Sequence, residues 1–171
     1  IFVGYSDTTI LANAITATTG LITFHGPHAW LGIRQLPLRA REQFLQLLMN
    51  PKPYGVLPRL PPWKSVRPGS AVGRLVGGNL TSLGMLLGTP WAPQFRPGFF
   101  PGNRSILFLE EWNEEPCDIH QRLEYLRTAG VLNRIDGLVI GKFVNCRNRS
   151  YDTSRSLTQV RADVISRTRF P

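Results

Sequence analysis

Ser6 is the residue of this 171-residue chain whose position most clearly suggests chemistry. It follows the apolar triplet Ile1-Phe2-Val3, which predicts the end of a buried strand, and it precedes a run with apolar residues at helical spacing. A serine at a sharp strand-to-helix junction is where α/β hydrolases display a nucleophile, and the backbone N–H of Asp7 is then a predicted oxyanion donor. A helix-capping role for Ser6 or Asp7 is the alternative that the local sequence leaves open.

Two carboxylates, Glu110 and Glu111, follow an apolar segment at residues 105–109 and so end a predicted strand. Ligands of α/β enzymes bind at the carboxyl ends of parallel strands, so one carboxylate could orient a catalytic histidine there. Adjacent strand residues face opposite sides of a sheet. We therefore expect only one of them to face the site, and we expect Glu111 to be a solvated residue at the strand end.

The three histidines test this hypothesis. His25 precedes Gly26-Pro27, where it could approach the site or fix a turn through its ring nitrogens, whereas His120 is expected to be exposed on a helix. No histidines, cysteines or carboxylates show a spacing such as His-x-x-x-His or Cys-x-x-Cys, and Gly77-Gly78 lacks the Gly-Lys-Ser/Thr of a phosphate loop. We therefore predict no metal and no cofactor.

The bulk composition bounds the partners of the chain. The net charge is +9, and positive charge is concentrated around the proline-rich middle and in the tail after Lys142. The tail arginines alternate with Ser, Thr and Asp and form no basic block with aromatic residues, so a solvated surface is favoured over nucleic-acid binding. No apolar run reaches the roughly 18 residues of a membrane span. The sequence predicts no nucleic-acid partner and no membrane segment.

Strand and helix patterns alternate along the chain, which predicts an α/β fold with mainly parallel pairing. Prolines concentrate between Asn50 and Ser70, so we predict an N-terminal domain at residues 1–50, a proline-rich linker at 51–70 and a C-terminal α/β domain at 71–171. Locally, Gly77-Gly78-Asn79 predicts a tight turn with Asn79 as an N-cap, and Asp118 predicts the cap of a later helix.

Several motifs in order resemble one family. They are Gly4-Tyr5-Ser6-Asp7-Thr8-Thr9, Phe24-His25-Gly26-Pro27, Gly73-Arg74-Leu75-Val76-Gly77-Gly78-Asn79-Leu80, Leu87-Gly88-Thr89-Pro90, Ile106-Leu107-Phe108-Leu109-Glu110-Glu111 and Gly137-Leu138-Val139-Ile140-Gly141-Lys142-Phe143. The series is similar to the LD-carboxypeptidases, the serine peptidases that include muramoyltetrapeptide carboxypeptidase and the microcin C immunity peptidases. The resemblance covers nearly the whole chain.

The resemblance implies a cytoplasmic serine hydrolase with a Ser-Glu-His triad, in which Ser6 matches the nucleophile and Glu110 the acid. The family's catalytic histidine lies in a downstream Gly-His segment that this chain lacks, so the third member is expected beyond Pro171. His25 matches a His-Gly-Pro motif outside the triad. The chain then reads as an internal fragment, with a partial Rossmann-like N-terminal domain and an incomplete C-terminal domain, and is expected to be inactive alone.

The implied substrate is a peptide ending in a D-amino acid, such as the murein tetrapeptide in peptidoglycan recycling, and the full-length protein is expected to be a homodimer. Gly78, Asn79 and Trp91 join Asp7 as predicted oxyanion or substrate-binding residues. An immunity-type peptidase acting on a peptidyl-nucleotide antibiotic is an alternative, for which Trp91 would supply a stacking surface. A non-catalytic binding module on the same scaffold is a third.

Overall fold

A computed structural model describes residues 1–29, 32–57, 63–92, 104–149 and 155–170. Strands and helices alternate through most of these residues. The elements are β1 (Phe2–Gly4), α1 (Thr8–Thr19), β2 (Thr23–His25), α2 (Gly32–Gln35), α3 (Leu38–Met49), β3 (Arg74–Asn79), α4 (Leu80–Leu86), β4 (Ser105–Trp112), α5 (Pro116–Thr128), β5 (Gly137–Val144) and α6 (Leu157–Ser166).

The strands form two parallel sheets, which confirms the predicted α/β class. One sheet has the order β1-β2 and the other the order β3-β4-β5. In the first, Gly4 pairs with His25; in the second, Asn79 pairs with Glu110. The predicted chemical residues therefore lie at the carboxyl ends of their strands.

The apolar core lies on the three-stranded sheet. In α4, Leu80, Leu83 and Leu86 recur at helical spacing and are all buried. The apolar face of α5, formed by Ile119, Leu123 and Leu126, is buried as well, and α6 contributes Val160 and Val164. Burial of these faces, more than helix propensity, stabilises the short helices.

Gly77 and Gly78 do not form the predicted tight turn but continue β3, paired in parallel with Phe108 and Leu109. Their φ angles are 123° and 136°, which favour glycine. A Cβ on Gly77 would lie 2.0 Å from the Phe108 carbonyl oxygen, and one on Gly78 would lie 2.6 Å from the Thr9 hydroxyl. These glycines therefore permit a close approach between backbones and side chains instead of a change of direction.

Of the two helix caps predicted from the sequence, the structure confirms one. Asn79 is the N-cap of α4, since its side chain accepts a hydrogen bond from the Ser82 N–H at 3.0 Å. The predicted cap of α5 is wrong: Glu115 occupies the N-cap, Pro116 follows as the first helical residue, and Asp118 lies in the first turn. Proline needs no backbone donor at that position, which explains why the helix begins there.

The region predicted as a linker, residues 51–70, contains no helix or strand in its described parts, residues 51–57 and 63–70; residues 58–62 lie outside the described residues. Within it, the Arg67 guanidinium donates hydrogen bonds to the carbonyls of Ile165, Thr168 and Phe170. These contacts fasten the end of this region to the carboxyl end of α6. The domain boundaries at 50 and 70 stay predictions.

Candidate functional site

Ser6 occupies a strained turn between β1 and α1. Its φ is 58°, in the left-handed region that a serine rarely adopts, and its carbonyl accepts from the Thr9 N–H at 2.9 Å. A Cβ on Gly4 would lie 2.2 Å from the Thr8 hydroxyl oxygen, so the turn is as tight as glycine allows. Such strain is typical of the elbow that presents a nucleophile, although Thr8 stands where that motif usually has a second glycine.

Asp7 follows Ser6 as the N-cap residue of α1, but its side chain makes no capping hydrogen bond. One carboxylate oxygen instead accepts from the Ser82 hydroxyl of α4 at 3.3 Å. Within the described residues, no hydrogen bond engages the Asp7 backbone N–H. The predicted oxyanion role of this amide is compatible with that geometry and stays a prediction.

Glu110 faces His25 across the two sheets. The distance from His25 Nε2 to Glu110 Oε1 is 3.6 Å, and both side chains are about one-fifth exposed, at 23% and 19%. The His25 ring also makes an edge contact with Phe108, at 5.3 Å between ring centroids. The nearby His28 accepts a hydrogen bond from the Gly32 N–H through its Nδ1, at 3.4 Å.

Glu111 is buried, at 2% exposure, so the expectation of a solvated residue is wrong. Its Oε1 accepts from Asn79 Nδ2 at 2.6 Å and from the Trp112 N–H at 3.0 Å. Its Oε2 accepts from the Thr81 hydroxyl at 2.6 Å and from the Thr81 N–H at 3.0 Å. The carboxylate thus sits at the amino end of α4, where unpaired backbone donors and the helix dipole stabilise negative charge.

The other predicted binding residues have distinct environments. The Asn79 amide is engaged by Glu111 and Ser82, and its backbone N–H donates to Thr9 Oγ1 at 3.1 Å. Gly78 lies beneath His25, since a Cβ there would be 3.0 Å from Nδ1. Trp91 is 53% exposed and precedes residues 93–103, which lie outside the described residues. Direct substrate contacts by Gly78, Asn79 and Trp91 stay predictions.

Two residues that sequence analysis did not select join the sheets. Asn13 donates from Nδ2 to the Gly77 carbonyl at 2.8 Å, while Gly77 N–H donates to Asn13 Oδ1 at 3.3 Å. Thr9, one turn earlier in α1, accepts from the Asn79 N–H. Polar residues four apart on an apolar helix were the available signal, because such residues share one face. These bonds bring Ser6 and Glu110 to the same side of the molecule.

A second charged cluster joins α5 and α6. Atoms of His120, Glu124 and Asp163 lie within 4.8 Å of one another. His120 Nε2 is 3.4 Å from the Asp163 carboxylate, so His120 faces α6 and the expectation of a freely exposed ring is wrong. Both carboxylates already pair with arginines, which are Arg127 and Arg167 at Glu124, and Arg155 and Arg167 at Asp163. The cluster is best described as an ion-pair network between helices.

The arginines set the acidity of this network. The hydrogen bond from Arg127, aided by its charge and that of Arg167, lowers the pKa of Glu124. Desolvation alone would raise the pKa of Asp163, but the charges of Arg167 and Arg155 outweigh it and lower that pKa. The two carboxylates are therefore ionised to a lower pH than in the unfolded chain.

In the described part of the chain, no helix is long and apolar enough to cross a membrane.

Two family profiles match the chain. The LD-carboxypeptidase N-terminal domain matches residues 1–26, and the LD-carboxypeptidase C-terminal domain matches residues 72–171. A probable murein peptide carboxypeptidase of Bacillus subtilis (strain 168) is 36% identical over 167 residues, covering 96% of this chain and 50% of that protein. The microcin C7 self-immunity protein of Escherichia coli is 29% identical over 170 residues, covering 83% and 47%.

Solved structures of the same kinds of protein are also similar to this chain. The muramoyltetrapeptide carboxypeptidase of Oxalobacter formigenes has a TM-score of 0.75 at 28% identity, covering 100% of this chain and 56% of that one. A microcin immunity protein in complex with glutamyl sulfamoyl guanosine has a TM-score of 0.73 at 28% identity, covering 100% and 57%. The chain spans about half the length of the curated relatives it matches. With the C-terminal domain profile spanning more than half of its residues, the chain belongs to the LD-carboxypeptidase family.

Proposed function

We propose that the protein containing this chain is a serine carboxypeptidase that hydrolyses an L,D-peptide bond and releases a terminal D-amino acid. The observation that carries the proposal is the left-handed φ of 58° at Ser6, in a turn where the chain changes from strand to helix. A residue that only caps a helix has extended backbone angles, as Asn79 and Ser156 do here, and needs no such strain. The conformation instead favours display of the hydroxyl.

In the proposed reaction, the Ser6 oxygen attacks the carbonyl carbon of the L,D bond while a histidine removes the hydroxyl proton. The Asp7 N–H donates to the oxyanion of the tetrahedral intermediate. Collapse breaks the C–N bond, and the histidine returns the proton to the departing amine of the D-amino acid. Water then hydrolyses the acyl-enzyme with the same histidine as base, which regenerates Ser6.

Glu110 is the proposed acid that orients this histidine, and His25 is not assigned that role, because it matches a family motif outside the triad. The substrate's terminal carboxylate requires a cation or backbone amides. The murein tetrapeptide, cleaved in the cytoplasm during peptidoglycan recycling by a homodimer, is the proposed physiological setting. The choice of a murein substrate is supported by the relatives named as murein peptide and muramoyltetrapeptide carboxypeptidases.

The test is hydrolysis of a tetrapeptide ending in D-Ala by the full-length protein. Ser6→Ala is expected to lower kcat by about 10⁴- to 10⁶-fold, by analogy with other serine hydrolases, and to keep substrate binding. Ser65→Ala is the matched control, because Ser65 is exposed and belongs to no helix or strand. A Ser6→Ala variant with more than about a tenth of the wild-type rate would reject Ser6 as nucleophile.

A second candidate is an immunity-type peptidase that cleaves a peptidyl-nucleotide. It is supported by the microcin immunity relatives, one of them bound to an aminoacyl sulfamoyl nucleoside, and by the 53% exposed indole of Trp91, which offers a face for base stacking. Comparing kcat/KM for the tetrapeptide and an aminoacyl sulfamoyl nucleoside separates the two functions. Absence of Ser6-dependent turnover on either substrate would leave the non-catalytic binding module.

A further inference from the structure

Glu110 has one carboxylate oxygen in an unusual environment. Oε1 is buried and has no hydrogen-bond partner, and the same is not true of Oε2. Leaving a buried carboxylate oxygen without a donor is costly, and such groups are rare in folded proteins. The Glu110 carboxylate therefore lacks a donor on its inner side.

His25 is the nearest candidate donor. Among the described residues, its Nε2 is the one basic side-chain nitrogen within 4 Å of the Glu110 carboxylate, at 3.6 Å from Oε1. Phe108, which shares the Glu110 face of β4 two residues away, holds the imidazole ring edge-on. On its other side, Nδ1 lies above Gly78. The ring is thus fixed by packing with its Nε2 toward the carboxylate.

The neighbouring strand makes room for this arrangement. Pairing of β4 with β5 runs from Leu109↔Ile140 directly to Glu111↔Phe143, so β5 carries a bulge opposite Glu110. In the bulge, a Cβ on Gly141 would lie 2.9 Å from Phe108 Cε2 and 3.3 Å from Glu110 Cβ. Bulges of this kind re-aim side chains next to active sites. Here the bulge and the glycine leave space for both side chains that contact His25.

We propose that His25 is a positioning residue for Glu110: it donates a hydrogen bond from Nε2 to Oε1 and leaves Oε2 free to orient the catalytic base. The inference rests on the proposed function, since it assigns a role at the same site. At 3.6 Å the contact is longer than a hydrogen bond. Contacts of catalytic groups often shorten when substrate binds, and a closure of about 0.5 Å would suffice.

The experiment compares His25→Gln with His25→Met in the full-length protein. The two replacements have similar shape, but only glutamine carries an N–H donor near the position of Nε2. We expect His25→Gln to stay within about threefold of the wild-type kcat, and His25→Met to lose about 10- to 100-fold in kcat with little change in KM, the range set by one hydrogen bond to a charged group. A role in packing alone predicts the reverse order, because methionine replaces the ring better in an apolar contact.

Other outcomes overturn the inference. Wild-type activity in both variants, or equal losses in both, would show that donation to Oε1 is not needed. Losses as large as that of Ser6→Ala in both would make His25 the base instead. If His25→Met does not fold, His25→Asn, whose amide reaches only the Nδ1 position, must show the low kcat. An active Ser6→Ala variant would overturn the proposed function itself, whereas Ser6-dependent activity that is insensitive to His25→Met overturns this inference alone.

Discussion

Glu110 and Glu111 are adjacent in sequence, and the structure predicts that replacing each by glutamine has a different kind of effect. Glu111 is 2% exposed and accepts four hydrogen bonds, two at each oxygen. Glu110 has a buried oxygen without a partner. We expect Glu111→Gln to lose stability and Glu110→Gln to lose activity.

The magnitude for Glu111→Gln follows from its four donors. The new NH₂ group is best placed at Oε2, because the Thr81 hydroxyl can rotate and accept from it, but the Thr81 N–H then has no acceptor. One orphaned buried donor costs about 1–3 kcal/mol, and three remaining bonds that lose the carboxylate charge lose roughly 0.5–1 kcal/mol each. The expected loss is about 2.5–6 kcal/mol, a large part of a typical domain's stability.

Urea unfolding of both variants, followed by circular dichroism, measures the difference in stability. The kcat on a tetrapeptide ending in D-Ala measures the difference in activity. Glu110→Gln is expected within about 1 kcal/mol of wild type, because neutralising a carboxylate with an unpaired oxygen removes little. Its kcat should fall by orders of magnitude, while folded Glu111→Gln retains most of its kcat. A Glu111→Gln variant as stable as wild type, or a larger loss of stability in Glu110→Gln, would refute the assigned roles.

Two further predictions concern stability. Gly78→Ala should destabilise the protein by about 1–3 kcal/mol, because its φ of 136° is unfavourable for alanine and the new Cβ would meet Thr9 and His25. In the matched variant Gly84→Ala, the Cβ in α4 meets nothing within 4 Å, so the free energy of unfolding should rise by up to about 1 kcal/mol. Thermal unfolding of both variants measures the difference. The pKa values of Glu124 and Asp163 are lower in the folded state, so the unfolded chain binds more protons in acid. The stabilisation by the ion pairs between α5 and α6 is therefore present above about pH 4.5 and is lost as the pH falls below that value. Melting temperatures from pH 7 to pH 3 should then fall less steeply for Asp163→Asn than for wild type; equal slopes would contradict this role.

The sequence predicted the elements better than their contacts. In α4 and α5, the apolar residues that recur at helical spacing in the sequence are the ones that the structure buries, because local periodicity reflects burial. It could not distinguish a glycine that turns the chain from one that permits close approach, and Gly77 and Gly78 are of the second kind. That difference depends on Phe108 and Thr9, which are distant in sequence.

The candidate site shows the same limit. Strand alternation correctly placed Glu110 and Glu111 on opposite faces. Which face is buried depends on where the amino end of α4 packs, and no local pattern near Glu111 records this. Likewise, His120 and Glu124 are four residues apart on a helix, but their partner Asp163 belongs to a different helix. The position of Ser6 in a turn was predictable because strand, turn and helix follow one another directly, whereas its role as nucleophile stays a prediction.

The side chain of Asn13 makes the hydrogen bonds with β3 that a neighbouring strand would make. Its amide offers one donor and one acceptor to Gly77, as a peptide group of a neighbouring strand would, and Thr9 accepts from Asn79 beside it. In the described part of the chain β3 is the outer strand of its sheet, and the backbone groups of an outer strand can pair with another chain when nothing covers them. The helix that begins beside Ser6 occupies these groups of Gly77 and Asn79, so the segment that displays the proposed nucleophile also covers part of an open sheet edge.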